Sequence, residues 1–176
     1  MGKRTNEVRD WDKVHQAILS HQTALIRYAS SILGEREGAK DVVQEVFLKL
    51  CKQPWRDVEG HLVNWLFRVT RNQALDLLRK EKRMSLFENP ETMERLAGVG
   101  ESSGQDARTQ ERVGSLLELV GQLPGKEREL VTLKFQQGLS YKEISEVTGM
   151  TVGNVGYVLH HALKELKTRW NAVESV

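Results

Sequence analysis

Apolar residues along this chain recur at helical spacing, and few segments alternate with the period of two that a half-buried strand requires. Val14, Ile18, Leu25, Tyr28 and Ile32 outline a first helical region, with a break expected near Ser20-His21-Gln22 and an end at Gly34. The next segment carries the clearest pattern: Ala39, Val42, Val43, Val46, Phe47 and Leu50 make one wide apolar stripe. Pro54 stops this helix shortly after Cys51. A short loop from Gln53 to Gly60 leads to a third helix, from about Leu62 to Arg83.

The stretch from Met84 to about Arg112 shows little periodicity and contains Asn89-Pro90 and the glycine-rich Gly98-Val-Gly-Glu-Ser-Ser-Gly104, so it reads as a flexible linker. Beyond it, Val113, Leu116, Leu117, Val120 and Leu123 mark another amphipathic helix. Pro124 suits the first turn of the next one, which Leu130, Val131 and Phe135 carry to a stop at Gly138. Ser140-Tyr-Lys-Glu143 has the form of a capping box and opens a short helix through Val147. Thr148-Gly149-Met150 is a tight turn, and Thr151 can cap a last helix reaching about Trp170. Short helix, glycine turn and long helix is the helix-turn-helix layout. The pattern therefore predicts an all-α chain of two small helical domains joined by a linker, the second domain with a helix-turn-helix.

Composition narrows the class. With 176 residues the chain has room for one ordinary domain or two small ones. No apolar run approaches the roughly 18 residues of a membrane span, and the charged start lacks the apolar core of a signal peptide. Cys51 is the single cysteine, which excludes a disulfide framework and suits a reducing cytoplasm. The net charge of +2 hides an asymmetry: residues 1–83 carry +5, residues 84–113 carry −3, and residues 114–176 balance. A basic front half points to a polyanionic partner, with an ordinary solvated surface as the alternative.

Three helix faces hold the candidate chemistry. On the last helix Val152, Val155, Leu159, Ala162, Leu163 and Leu166 fall on one side, and Gly153, Asn154, Tyr157, His160, His161 and Lys164 on the other. Such a free face can enter the major groove, where Asn154 can pair with adenine and the imidazoles can donate or accept. On the third helix Trp65, Arg68, Asn72, Asp76, Arg79 and Arg83 share an arc opposite Leu66, Thr70, Gln73, Ala74, Leu77 and Leu78. An aromatic ring among guanidiniums suits unpaired bases and their phosphates, with a core tryptophan and a soluble helix end as the alternative. On the second helix Asp41, Gln44, Glu45 and Leu48 form a stripe that suits a protein partner bearing arginines, or simply water.

These residues also carry a resemblance. Ala39-Lys-Asp-Val-Val-Gln-Glu-Val-Phe-Leu-Lys-Leu50, Asn64-Trp-Leu-Phe-Arg-Val-Thr-Arg-Asn-Gln-Ala-Leu-Asp-Leu-Leu-Arg-Lys80, Leu123-Pro-Gly-Lys-Glu-Arg-Glu-Leu130 and Leu139-Ser-Tyr-Lys-Glu-Ile-Ser-Glu-Val-Thr-Gly-Met-Thr-Val-Gly-Asn-Val155 resemble, in order, the motifs of bacterial sigma factors of the extracytoplasmic-function class. The resemblance implies region 2 over residues 10–86, a linker over 87–112 and region 4 over 113–171. It implies a core RNA polymerase partner, contacted through its beta-prime and beta subunits, with Asp41, Gln44, Glu45 and Leu48 on the beta-prime coiled coil. It implies promoter DNA in single-stranded and duplex form. The Gln53–His61 loop would receive a flipped base, with Trp55, Arg56, His61, Trp65, Arg68, Asn72 and Arg79 at the minus-ten element. Thr151, Asn154, Tyr157, His160, His161 and Lys164 would read the minus-thirty-five element. An anti-sigma factor that clamps both domains is a further partner known in the family, and no cofactor or membrane insertion is implied. The chain departs from the family in having Gly156, Val158, His160 and His161 where arginines and lysines are usual, which implies weaker phosphate neutralisation and a shallower salt dependence for region 4.

Two other classes compete. The glycines of 98–104 have the wrong spacing for a dinucleotide site and follow no strand. His160 and His161 diverge by about 100° on a helix, poor geometry for one metal ion. No nucleophile has a convincing base, so an enzyme is disfavoured and no catalytic or metal residue is assigned. A helix-turn-helix regulator acting on duplex DNA without polymerase remains the alternative, and the 39–80 segment is the feature that discriminates against it.

Overall fold

A computed structural model describes the backbone of residues 2–88 and 107–174, and side chains within residues 10–83 and 112–172. Every regular element among the described residues is helical. The chain divides into two compact units, 1–92 and 93–176.

The first unit comprises α1 (Gly2–Leu33), α2 (Glu37–Lys52) and α3 (Leu62–Glu88). α1 runs unbroken through Ser20-His21-Gln22, where the sequence pattern suggested an interruption. The polar triplet does not stop the helix because Ala17, Leu25, Tyr28 and Ala29 on either side are buried against α2 and α3 and carry it through. Gly34 takes a positive φ of 79° and ends α1 with a bond from its N–H to the Ser30 carbonyl. The Glu35 carboxylate accepts from the Gly38 N–H at 3.0 Å and satisfies one open amide at the start of α2. The predicted stripe of α2, from Ala39 to Leu50, is buried in full. It meets Leu66, Phe67 and Ala74 of α3, and the Tyr28 and Phe67 rings stand edge to face at 5.3 Å.

Between α2 and α3 the chain makes two 3-10 turns, Trp55–Asp57 and Glu59–His61. Val58 between them is buried, and its burial anchors the connection with about 1.5–3 kcal/mol. Trp55 and Glu59 are both held from α1, where the Lys13 ammonium lies 5.5 Å from the indole centroid and 3.5 Å from the Glu59 carboxylate.

The second unit comprises α4 (Ala107–Gly121), α5 (Gly125–Val131), a π-helical turn (Thr132–Gln136), α6 (Tyr141–Thr148) and α7 (Val152–Glu174). α5, α6 and α4 all pack on α7. The linker expected over 87–112 is helical at both ends, since α3 continues to Glu88 and α4 starts at Ala107; its glycine-rich middle lies outside the described residues.

Four residues placed in the core by pattern are exposed: Leu116, Phe135, Val152 and Leu163. In α4 the interior side is taken by Leu119, and Leu116 falls off it. In α7 the buried row is Val155, Val158, Leu159, Ala162 and Leu166, which leaves Val152 before its first turn of contact and Leu163 at its margin. Phe135 is turned out by the π-helical turn. The extra residue in that turn lets Thr132 and Leu133 fill the interior and leaves the ring 57% exposed. Gln137 N–H bonds the Thr132 carbonyl at 3.2 Å, Leu139 N–H bonds that of Leu133 at 3.1 Å, and Gly138 takes the positive φ of 71° that lets the chain leave.

The helix-turn-helix is fastened by side chains. Glu143 N–H donates to the Ser140 hydroxyl at 3.2 Å and Ser140 N–H to the Glu143 carboxylate at 2.7 Å, completing the capping box. These bonds hold the Glu143 carboxyl below the usual glutamate pKa. Gly149 adopts a φ of 73°, the Ser145 hydroxyl donates to the Met150 carbonyl at 2.6 Å, and Thr151 accepts from Asn154 N–H at 3.2 Å to cap α7.

Ser140→Ala is expected to cost about 1 kcal/mol of stability, read by urea unfolding of the full chain. Because the folded Glu143 pKa is depressed, its contribution is present above 4.5 and disappears as pH falls through the lower folded value. The stability gap between the parent and Glu143→Gln should therefore narrow on acidification. The Thr70 hydroxyl is buried without a partner, so Thr70→Val should unfold at equal or higher urea, with a gain of up to about 1 kcal/mol.

Candidate nucleic-acid and polymerase interfaces

Burial of the α2 stripe forces the remaining residues outward. Asp41, Gln44, Glu45 and Leu48 are all exposed, and the row continues with the same three-one-three spacing into Lys49 and Lys52. One helix face thus turns from acidic and apolar to basic along its length, with the lysines in the last turn, where the helix dipole favours cations. Lys49 and Lys52 form no ion pair among the described residues.

The basic end of that row joins α3 across a cleft of about 400 Å³. Lys49, Lys52 and Gln53 line one side, and Trp65, Val69, Asn72, Gln73 and Asp76 the other. An indole, an isopropyl group, three carboxamides and two ammonium groups, with the Asp76 carboxylate at one end, can stack a flat ring, bond its polar edge and neutralise a phosphate beside it. Trp65 and Asn72 were read from sequence as part of such a surface. Gln53 opens the loop that the resemblance placed at a flipped base, whereas Lys49, Lys52, Val69 and Gln73 were missed, although the continuation of the α2 row would have found the lysines.

The remaining front-unit candidates do not converge on this cleft. Arg68 is exposed on the α3 surface. Arg79 donates to the Asp76 carboxylate at 2.9 Å, so a guanidinium and a cleft-lining carboxylate are tied together at the cleft's end. Trp55 faces α1, in a separate depression. Arg56 is solvated and lies 3.5 Å from Asp57, and His61 is exposed at the end of the second 3-10 turn.

In the second unit Asn154, Tyr157, His160, His161 and Lys164 are exposed along α7, and Thr151 caps its start. Tyr157 is 64% exposed, and its ring lies 4.6 Å from that of His161, which in turn stands edge to face with His160 at 6.3 Å. Behind this face the Tyr141 ring of α6 rests against Gly156, with the Lys134 ammonium 5.4 Å from its centroid. The two helices of the motif therefore meet closely at a position without a side chain.

Two family models match in the same order as these units: Sigma-70 region 2 over residues 17–84, and Sigma-70, region 4 over residues 114–166. The ECF RNA polymerase sigma factor SigL of Mycobacterium tuberculosis is 30% identical over 158 residues, which cover 84% of this chain and 82% of that protein. This chain belongs to the extracytoplasmic-function class of the sigma-70 family. The ECF sigma factor SigE of Mycolicibacterium smegmatis is 27% identical over 157 residues, covering 89% of this sigma factor and 60% of SigE. Among solved structures, the sigma factor RpoE from Bartonella quintana, crystallised with the anti-sigma factor NepR, shares the fold at a TM-score of 0.69 and 22% identity, over 88% of this sigma factor and 94% of that chain. The region 2 match falls on α1–α3 and the region 4 match on α4–α7. A promoter-directing initiation factor is thereby favoured over a regulator that works on duplex DNA alone. Among the described residues no helix is long and apolar enough to cross a membrane.

Lys49→Gln and Lys52→Gln are each expected to reduce the salt slope of single-stranded DNA binding by about 0.7, the value for one released counterion per phosphate contact. Fluorescence anisotropy across a salt series checks this.

Proposed function

We propose that this sigma factor docks on core RNA polymerase through α2, opens the minus-ten element at the α2–α3 cleft, and grips the minus-thirty-five duplex with α7, working in the cytoplasm without chemistry of its own. The observation that carries the reading is the cleft between Lys49, Lys52, Trp65 and Asn72 on the unit that also presents the exposed row from Asp41 to Leu48. Unstacking one base costs a few kcal/mol. Stacking on an aromatic side chain returns about 1–3 kcal/mol per base, so a cleft of this kind offsets the cost of opening.

Asp41 and Glu45 supply carboxylates for a basic partner, and Leu48, about one turn beyond Glu45, supplies an apolar anchor. Such a row suits the beta-prime coiled coil. A beta-subunit contact belongs to the same reading, as does an anti-sigma factor able to cover either unit. In the second unit the capped, glycine-turned motif holds α7 with Asn154, Tyr157, His160 and His161 free for base edges. Lys164 is the single fixed cation in that set, so region 4 contributes direction and register more than affinity.

Trp65→Ala with Asn72→Ala should abolish open-complex formation, read by permanganate reactivity of the minus-ten region, while co-purification with core polymerase persists. Gln44→Ala with Leu48→Ala should do the reverse and lose core polymerase. Loss of core binding in the first pair, or normal core binding in the second, overturns the assignment.

A further inference from the structure

Tyr157, His160, His161 and Lys164 make a polar ridge on α7, and all four are exposed. At about 100° per residue, Tyr157 and Lys164 fall within about 20° of each other around the helix axis and mark the middle of the ridge. His160 lies about 60° to one side of Tyr157 and His161 about 40° to the other. The two imidazoles are thus neighbours in sequence that look to opposite flanks. The His161 ring lies 4.6 Å from that of Tyr157 and 6.3 Å from that of His160. A helix about 10–12 Å across fills a major groove about 12 Å wide. Its middle then meets base edges and its flanks meet the phosphates of the two strands. Imidazole is the side chain whose charge changes between about pH 5 and pH 8, and its cation donates from both nitrogens. Neither ring forms an ion pair with a carboxylate among the described residues. The acid nearest in sequence, Glu165, is bonded to Arg169, which also donates to Gln122 just past α4. From α6, Tyr141 rests against Gly156 with the Lys134 ammonium 5.4 Å from its ring, and that group is a cation as well. α4 and α5 cover the other side of α7, where Val155, Leu159, Ala162 and Leu166 are buried. Counter-charge for a protonated ring must therefore come from outside the protein.

We propose that α7 takes up protons at His160 and His161 as it enters duplex DNA, each imidazolium binding a phosphate of a different strand, so that the grip of region 4 tightens as pH falls through the imidazole range. The proposal rests on the reading of α7 as the duplex-gripping helix and adds its regulation. Above that range Lys164 is the one cation of the ridge; below it the ridge carries three. The protons come from solvent, so affinity is linked to pH through at most one proton per ring. His15, His21 and His61, the other histidines of the chain, all belong to the first unit, which leaves these two rings as the imidazoles of region 4.

The test uses holoenzyme assembled from the full chain and core polymerase, with two duplex fragments of a promoter mapped for this factor: one carries the upstream element and the other ends short of it. The ratio of the two affinities isolates region 4 and cancels the effect of pH on the rest of the complex. At about 0.1 M salt the ratio should be about tenfold larger near pH 6 than near pH 8, and its salt slope should steepen by about 0.9 for each protonated ring. His160→Gln and His161→Gln should each remove about half of that steepening and the double variant all of it. His160→Arg with His161→Arg should show the steep slope at both pH values. A ratio above one whose salt slope is the same at both pH values, or a pH dependence that persists in the double Gln variant, overturns the proposal and leaves the duplex-gripping reading intact. A pH dependence lost wholly in one single variant and kept wholly in the other also overturns it, because the two flanks then do not act alike. A ratio of one at both pH values, in the parent and in the Arg variant, defeats the duplex-gripping reading as well.

Discussion

The burial of Val42, Val43, Val46, Phe47 and Leu50 against α1 and α3 fixes everything α2 offers to the outside. A helix with so wide an apolar stripe has one rotational setting, since a turn of one residue would swing about 100° of that stripe into water. That setting puts Asp41, Gln44, Glu45 and Leu48 in one row and aims Lys49 and Lys52 at the rim of the α3 cleft. The proposed partner surface and the proposed strand surface are therefore two ends of one helix. A base captured at the cleft, as proposed, would be held in fixed register with whatever grips the row, which is what promoter opening by a docked factor requires.

The second unit solves a different problem with weaker materials. Its motif is small, so position is secured by discrete hydrogen bonds: the capping box at Ser140 and Glu143, the Ser145 bond across the Gly149 turn, and Thr151 at the start of α7. The π-helical turn before α6 adds one residue, turns Phe135 to solvent and lets Leu133 and Leu139 enter the core. With α7 held, Tyr157 and the adjacent imidazoles stand exposed on a face where Lys164 is the one cation of the candidate set. On the proposed reading, duplex recognition by this unit would rely on base edges and shape more than on counterion release.

Much of this was legible in the sequence, and the misses have physical causes. Local signals such as Ser140-x-x-Glu143 and Gly149 survive folding because they are satisfied within a few residues, and a stripe as wide as that of α2 survives because burial against any neighbouring helix satisfies it. Leu116, Val152 and Leu163 were misplaced because the ends and margins of a stripe are decided by what packs opposite, which a single helix pattern does not contain. Phe135 was misplaced because a π-helical turn breaks the 3.6-residue period that the reading assumed. The cleft residues Lys49 and Lys52 lie on α2, and only the tertiary contact joins them to Trp65, Val69, Asn72 and Gln73 of α3. The same holds for Trp55, whose neighbours on α1 lie some forty residues earlier in the chain.

The most direct measurement is transcription in vitro from fragments of the source genome, with the purified chain, core RNA polymerase and mapping of every transcript's start. The account predicts discrete starts on a subset of fragments that core polymerase alone does not use, each preceded by a common pair of upstream elements. Starts indistinguishable from those of core polymerase alone, on all fragments, would contradict it.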